Sequence, residues 1–198
     1  MTTLRAPKPF ADFELAALYR AADEAGRPDV HALMRLLHCT GLRSAEALQI
    51  PTELVRTWRP HSHLRRFTPP TFRVIGKGDK ERVVLFSAEA VRAARDLLPY
   101  SHLSVSTTRL IPWSDRGMRY VIAEVGERAG VHAHPHRFRH TFASEHVEAG
   151  TDLHVLADMM GHSSLDITRL YYASSQRSRI AAERGRRRYV RRHRRWAS

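Results

Sequence analysis

Cysteine is nearly absent from this sequence: Cys39 is the single one among 198 residues. No intramolecular disulfide can form, and a thiolate zinc site has no set of ligands to draw on. Long apolar runs are missing as well. No stretch approaches the roughly 20 apolar residues that a membrane-spanning helix requires. The N-terminus has no uninterrupted apolar run after its charges, so no signal peptide is expected. These absences point to a reducing compartment, cytoplasm or nucleoid, and to no membrane span. Acidic residues are scarce relative to basic ones, 20 Asp and Glu against 33 Lys and Arg, which leaves a formal charge of +13. A surplus that large repels itself unless a polyanion neutralises it. Nucleic acid is therefore the first partner to consider, with an anionic membrane surface as the competing one.

The surplus is unevenly placed. Residues 173–198 hold ten arginines and one acid, Glu183, and so carry +9 of the +13. By itself such a tail is a generic basic arm. The rest of the chain is long enough for one domain with a sizeable core.

Helical periodicity runs through 11–25 and stops at Gly26; a second helix spans about 29–39 and ends near Gly41, and "RSAEALQI" opens a short third closed by Pro51. The character then changes. "LVRTW" (54–58), "TFRVIG" (71–76) and "ERVVLF" (81–86) are short and rich in β-branched or aromatic residues, and "KGDK" between the last two is a turn. Residues 59–70 are expected to be a loop. Helices return afterwards, with Ser87 and Ser114 as caps, Pro135 at the first position of 136–149, Thr151 capping 152–160, and Ser163 or Ser164 opening a last helix through Tyr172. The expected fold class is mainly α with a small antiparallel β-sheet, in one domain over 1–172 followed by the Arg-rich tail.

"HAHPHRFRHTFASEH" (132–146) packs five histidines into fifteen residues, a density that suggests a metal. His136 and His140 share a helix face at the spacing of H-E-x-x-H, but Arg137 stands where that motif needs its glutamate. Arg137 and Arg139 would also repel a dication. No metal site is expected, and His132, His134 and His146 are read as incidental. The alternative pairs histidine with arginine. His136 and Arg139 are neighbours on one face; an arginine forks onto phosphate oxygens, and a histidine beside it can move a proton. Alone, that pair is common on ordinary surface helices. Other segments add to it. "CTGLRSAEALQI" puts Arg43 at a helix start after a glycine turn, "VIGKGDKERVVLF" puts Lys77 at a hairpin tip, and "MMGHSSLDITRLYY" puts His162 in an interhelical turn nine residues before Tyr171. Each has an ordinary reading too: a surface cap, a good turn, a half-buried core tyrosine.

In this order, "TGLRSAE", "IGKGDKERVV", "HRFRHTFAS" and "MMGHSSLDITRLYY" resemble the catalytic domain of the tyrosine recombinase, or phage integrase, family from about Phe10 to about Tyr172. The resemblance implies that family's catalytic-domain fold and site-specific recombination by strand cleavage and rejoining. A tyrosine attacks a DNA phosphodiester, forms a 3′-phosphotyrosyl link and frees a 5′-hydroxyl, which attacks a partner strand's link. Carried over by motif, Tyr171 is the nucleophile, Arg43 and Arg139 bind the non-bridging oxygens, and Lys77 protonates the leaving 5′-oxygen. His136 exchanges a proton with the tyrosine and His162 hydrogen-bonds the phosphate, while Glu46 and His140 support the site. Adjacent helix residues point about 100° apart, so Tyr171 and Tyr172 cannot both face one phosphate; residue physics leaves the choice open, and the family spacing selects Tyr171.

No cofactor is implied, because the phosphotyrosyl link conserves bond energy. The implied partner is double-stranded DNA, gripped by a homotetramer on two duplexes that is a monomer or weak oligomer without DNA. The tail either docks on a neighbouring subunit or lies on DNA phosphates through residues such as Arg186, Arg187, Arg188, Arg191 and Arg192. The family clamps DNA with an upstream helical core-binding domain that residues 1–10 are too few to supply, so a truncated or naturally minimal member is expected. The rival functions are type IB topoisomerase-like relaxation and a non-catalytic DNA-binding regulator.

Overall fold

The chain alternates stretches that bury one face with tight turns that reverse it. The computed structural model describes residues 8–58, 69–76, 81–103, 108–162 and 165–174. Residues 8–142 form one compact unit, and the described residues from Ala143 onward belong to a second.

In the first unit the helices are α1 (Asp12–Glu24), α2 (Pro28–Thr40), α3 (Ser44–Ala47) and α4 (Thr52–Thr57), then, after the strands, α5 (Ala88–Leu97), a 3-10 stretch Leu98–Leu103, α6 (Asp115–Ala129) and the start of α7 (Pro135–Glu148). Between them lies a two-stranded antiparallel sheet, β1 (Thr71–Ile75) and β2 (Glu81–Leu85), in the register Thr71↔Leu85 through Ile75↔Glu81. The mainly α class with a small antiparallel sheet is what the sequence predicts. Helix α2 is the centre of this unit. Val30, Leu33, Met34, Leu36 and Leu37 are all fully buried, too many for one stripe, because α2 packs against both α1 and α5. Ser87 and Ser114 cap as expected, accepting from the backbone N–H of Ala90 and Gly117 at 3.1 Å each.

One expected strand is a helix. Residues 54–58 belong to α4 and its end, not to the sheet. The extended chain stops at Pro51, which makes an isolated bridge to Arg109. From there Val55 and Trp58 are both buried, three positions apart, and Trp58 packs on Phe86 with ring centroids 4.4 Å apart. A spacing of three buries both only if the chain is helical, and that packing outweighs the β preference of the residues. The expected turn at 77–80, the loop over 59–68, Ser163 and Ser164, and the tail from 175 lie outside the described residues.

The second unit holds the end of α7, α8 (Leu153–Met160) and α9 (Leu165–Ser174), with α8 and α9 in contact. The cap of α8 is Asp152, not Thr151: its carboxylate accepts from the N–H of His154 at 2.8 Å and of Val155 at 3.3 Å. Thr151 is already engaged by His146 and Tyr172. No helix among the described residues is long and apolar enough to cross a membrane.

Candidate active site

Gly41 ends α2 with φ +60, and a Cβ there would sit 2.4 Å from the Phe142 ring. Glycine is thus required twice, for the left-handed turn and for the close approach. The turn delivers Leu42 to the core and Arg43 to the start of α3. Arg43 donates its backbone N–H to Glu46 Oε2 at 2.8 Å and its Nη1 to Glu46 Oε1 at 2.7 Å. Arg139, one turn after His136 on α7, is 4% exposed. Its Nη1 donates to the Gly41 carbonyl at 2.6 Å and lies 3.9 Å from Glu46 Oε2. Two guanidiniums 96 positions apart in sequence therefore converge on one glycine turn and one carboxylate.

Glu46 is 1% exposed. Burial opposes its ionisation, but the Arg43 N–H bond and the charges of Arg82 and Arg43 outweigh that, and its pKa is lowered. Arg82 is the residue that sequence reasoning missed. It lies on β2, and its Nη2 reaches Glu46 Oε2 at 2.7 Å. The signal was present: on β2 the inward positions alternate with exposed ones, and Arg82 occupies an inward one beside Val84. Lys77, expected at the tip of the same hairpin, lies outside the described residues.

His136 is exposed. Partial desolvation of its ring, then the positive charges of Arg139, Arg119 and Arg43, lower its pKa, so the imidazole is neutral at neutral pH and can accept a proton. His140 is half-buried, and burial followed by the neighbouring His136, His134 and Arg139 depresses its pKa to about 4. That depression has a consequence for stability. As pH falls, the unfolded chain takes up this proton near pH 6.5, whereas the folded chain does so only near pH 4. The contribution is complete above the first value and lost on approaching the second, roughly 3 kcal/mol in all. Urea unfolding of wild type should show a falling midpoint between about pH 6.5 and about pH 4, and His140→Asn should flatten part of that fall. An identical pH dependence in the variant would remove His140 as its source.

The other histidines separate. His132 is exposed and His134 half-buried, their rings edge to face at 5.3 Å. Among the described residues no three of His, Cys, Asp and Glu are grouped to hold a metal ion. Arg137 is structural: it pairs with Glu14 at 2.6 Å, donates to the His132 carbonyl at 2.9 Å, and lies 4.2 Å over the Phe10 ring.

In the second unit, His162 Nδ1 and the Thr168 hydroxyl are 2.8 Å apart, and Thr168 is fully buried. The His162 ring stacks on Tyr171, with centroids 6.4 Å apart and planes 12° from parallel. Tyr171 is 3% exposed. The Tyr172 hydroxyl donates to the Thr151 carbonyl; burial, then the Asp152 charge, raise its pKa. His146 meets Thr151 instead, its Nδ1 and the Thr151 hydroxyl being 3.0 Å apart. Thr151 is thus held from α7 and α9, which is why the capping role passes to Asp152.

The phage integrase family matches residues 10–178. A tyrosine recombinase XerC from Staphylococcus carnosus is 30% identical over 187 residues, covering 87% of this chain and 60% of the relative. The chain spans 50% to 60% of the length of the curated relatives first matched. The Tn1549 transposon integrase in complex with transposon right end DNA superposes with a TM-score of 0.72 at 16% identity, over 93% of this chain and 67% of that one. The catalytic domain of bacteriophage HP1 integrase does so with a TM-score of 0.62 at 20% identity, over 90% of this chain and 94% of that one. The fold is that of these catalytic domains.

Proposed function

The chain belongs to the phage integrase family, and we propose that it recombines DNA site-specifically by cleaving and rejoining strands through a 3′-phosphotyrosyl link. One observation carries this reading: Arg43 and Arg139 converge on the buried Glu46 carboxylate in a net-positive cluster. A phosphodiester is anionic and repels nucleophiles. Two guanidiniums with rigid forks neutralise it and stabilise the extra charge of the pentavalent transition state.

The roles follow. Tyr171 Oη attacks phosphorus while the bond to the 5′-oxygen breaks, so the 3′-phosphate passes to the tyrosine. Its phenolic proton goes to His136, whose ring is kept in the neutral form that has a lone pair to accept it. Lys77 supplies the proton that the 5′-oxygen needs to leave as a hydroxyl. His162 donates to a non-bridging oxygen from Nε2, its Nδ1 being engaged by Thr168. In the second half-reaction a 5′-hydroxyl attacks the link and the same groups run in reverse. Neither a high-energy cofactor nor a metal is consumed in this scheme.

The substrate is double-stranded DNA, worked on in the cytoplasm at the nucleoid, and recombination engages four copies on two duplexes. Residues 1–172 act as the catalytic domain. The tail, 173–198, lies along DNA phosphates through arginines such as Arg186, Arg187, Arg188, Arg191 and Arg192; its few large apolar residues favour DNA over a protein partner. Deleting 173–198 should lower the salt dependence of DNA binding, since each neutralised phosphate contributes about 0.9 to the slope of log K against log salt. A slope unchanged by the deletion would assign the tail to subunit docking.

The test of strand cleavage is direct. Nicked duplexes randomised in sequence around the nick are incubated with the protein in EDTA, and SDS-resistant protein–DNA adducts are collected and sequenced. Adducts on a common sequence support the reading. DNA binding without any adduct would replace it with a regulator, and plasmid relaxation without strand exchange with a topoisomerase.

A further inference from the structure

We infer that Arg82, which lies outside the set of residues expected to touch phosphate, is a positioning residue for the reaction. Through the shared carboxylate of Glu46 it keeps the Arg43 guanidinium available to the scissile phosphate. This rests on the strand-cleavage reading above.

The geometry is a division of one carboxylate among three cations. Glu46 Oε1 takes the Arg43 Nη1, at 2.7 Å, and Oε2 takes the Arg43 backbone N–H at 2.8 Å together with Arg82 Nη2 at 2.7 Å. Arg139 Nη1, at 3.9 Å from Oε2, is beyond hydrogen-bond range. The side chains of Glu46 and Arg82 are 2% and 10% exposed, against 29% for Arg43. Arg82 thus completes the carboxylate from the buried side, from β2, while Arg43 is the member nearest solvent.

Two effects follow from that arrangement. First, charge: three guanidiniums around one carboxylate leave a local surplus of +2 for an incoming phosphate, and removing Arg82 leaves +1. Second, direction: with Arg82 gone, Oε2 loses its strongest donor. The buried carboxylate then satisfies itself by drawing in Arg43 and Arg139, the two cations the phosphate needs. Both effects fall on the anionic reaction centre rather than on DNA affinity in general.

A buried ion pair is also a strut, so loss of activity alone does not separate positioning from folding. The discriminating readout is the charge of the scissile group. The full chain, Arg82→Met and Arg82→Lys are compared in single-turnover cleavage of a suicide duplex recovered from the adduct selection. The duplex carries either the natural phosphate or a methylphosphonate at the scissile position. Replacing one non-bridging oxygen by methyl removes the negative charge that the guanidiniums serve.

Arg82→Met should slow cleavage of the phosphate roughly 10- to 100-fold, the range for losing a partner that orients a site residue. On the methylphosphonate most of that deficit should disappear. Arg82→Lys, which keeps the charge without the fork, should show a smaller deficit with the same substrate dependence, and it carries the comparison if Arg82→Met does not fold. Equal deficits on both substrates, or none on phosphate, would overturn the proposal. Wild type forming no adduct would instead overturn the cleavage reading, and the role of Arg82 with it.

Discussion

Tyr171→Phe should abolish the covalent protein–DNA adduct, and Tyr172→Phe should leave it within a few-fold of wild type. The two phenols are adjacent in sequence, and their surroundings differ. The Tyr172 hydroxyl donates to the Thr151 carbonyl, so its proton is committed to holding α9 against the turn before α8. Burial and the Asp152 charge raise its pKa, the wrong direction for a group that must become a phenolate. Tyr171 instead stacks on His162, the histidine assigned to the phosphate. In the proposed reaction, removing its oxygen would remove the atom that bonds to phosphorus. For Tyr172→Phe the cost is structural: one hydrogen bond, about 1 kcal/mol, which lowers Tm by about 2–4 °C in a chain of this size. Adduct formation by SDS gel and a thermal melt measure both. An adduct that survives in Tyr171→Phe and vanishes in Tyr172→Phe would reverse the assignment and move the nucleophile one residue along.

What the sequence discloses about this protein depends on how local the cause is. The helices bounded by Gly26, Gly41 and Gly150 follow from φ requirements written in single residues, and the Ser87 and Ser114 caps from side chains that reach their own helix. The β1–β2 pairing is local too, two alternating runs close together in sequence. Residues 54–58 were not legible, because α4 is decided by the burial of Val55 and Trp58 against distant neighbours such as Phe86. The same division runs through the candidate site. Arg43 and Glu46 are three apart and their pairing is implied by helix geometry. That Arg139 meets the Gly41 carbonyl, or that Arg82 meets Glu46, is a long-range fact with no local signature beyond a charge at an inward strand position. Thr151 shows the converse. Its type fits a cap, but Tyr172 takes its carbonyl and His146 its hydroxyl, so the neighbouring Asp152 caps α8.

Arg139→Lys should reduce single-turnover cleavage roughly 10²- to 10³-fold, the cost of removing one preorganised donor from a developing anion, while DNA affinity changes far less. The buried guanidinium is oriented by its own fork: Nη1 is spent on the Gly41 carbonyl at 2.6 Å, which fixes the plane of the group and hence the direction of its remaining N–H bonds. A lysine ammonium is a single centre on a flexible stem. It can keep the bond to Gly41 or turn to the phosphate, but it cannot present two parallel donors while one of its atoms is tethered. The substitution also separates catalysis from folding. Arg139 is 3.9 Å from Glu46 Oε2, so its contribution to the buried carboxylate is mainly charge, and lysine retains the charge. Stability should therefore fall by much less than the loss in cleavage, whereas Arg139→Ala should lose both. Cleavage by Arg139→Lys within tenfold of wild type would mean that charge alone suffices at this position. The fork held between the glycine turn and the phosphate would then not be the basis of the chemistry.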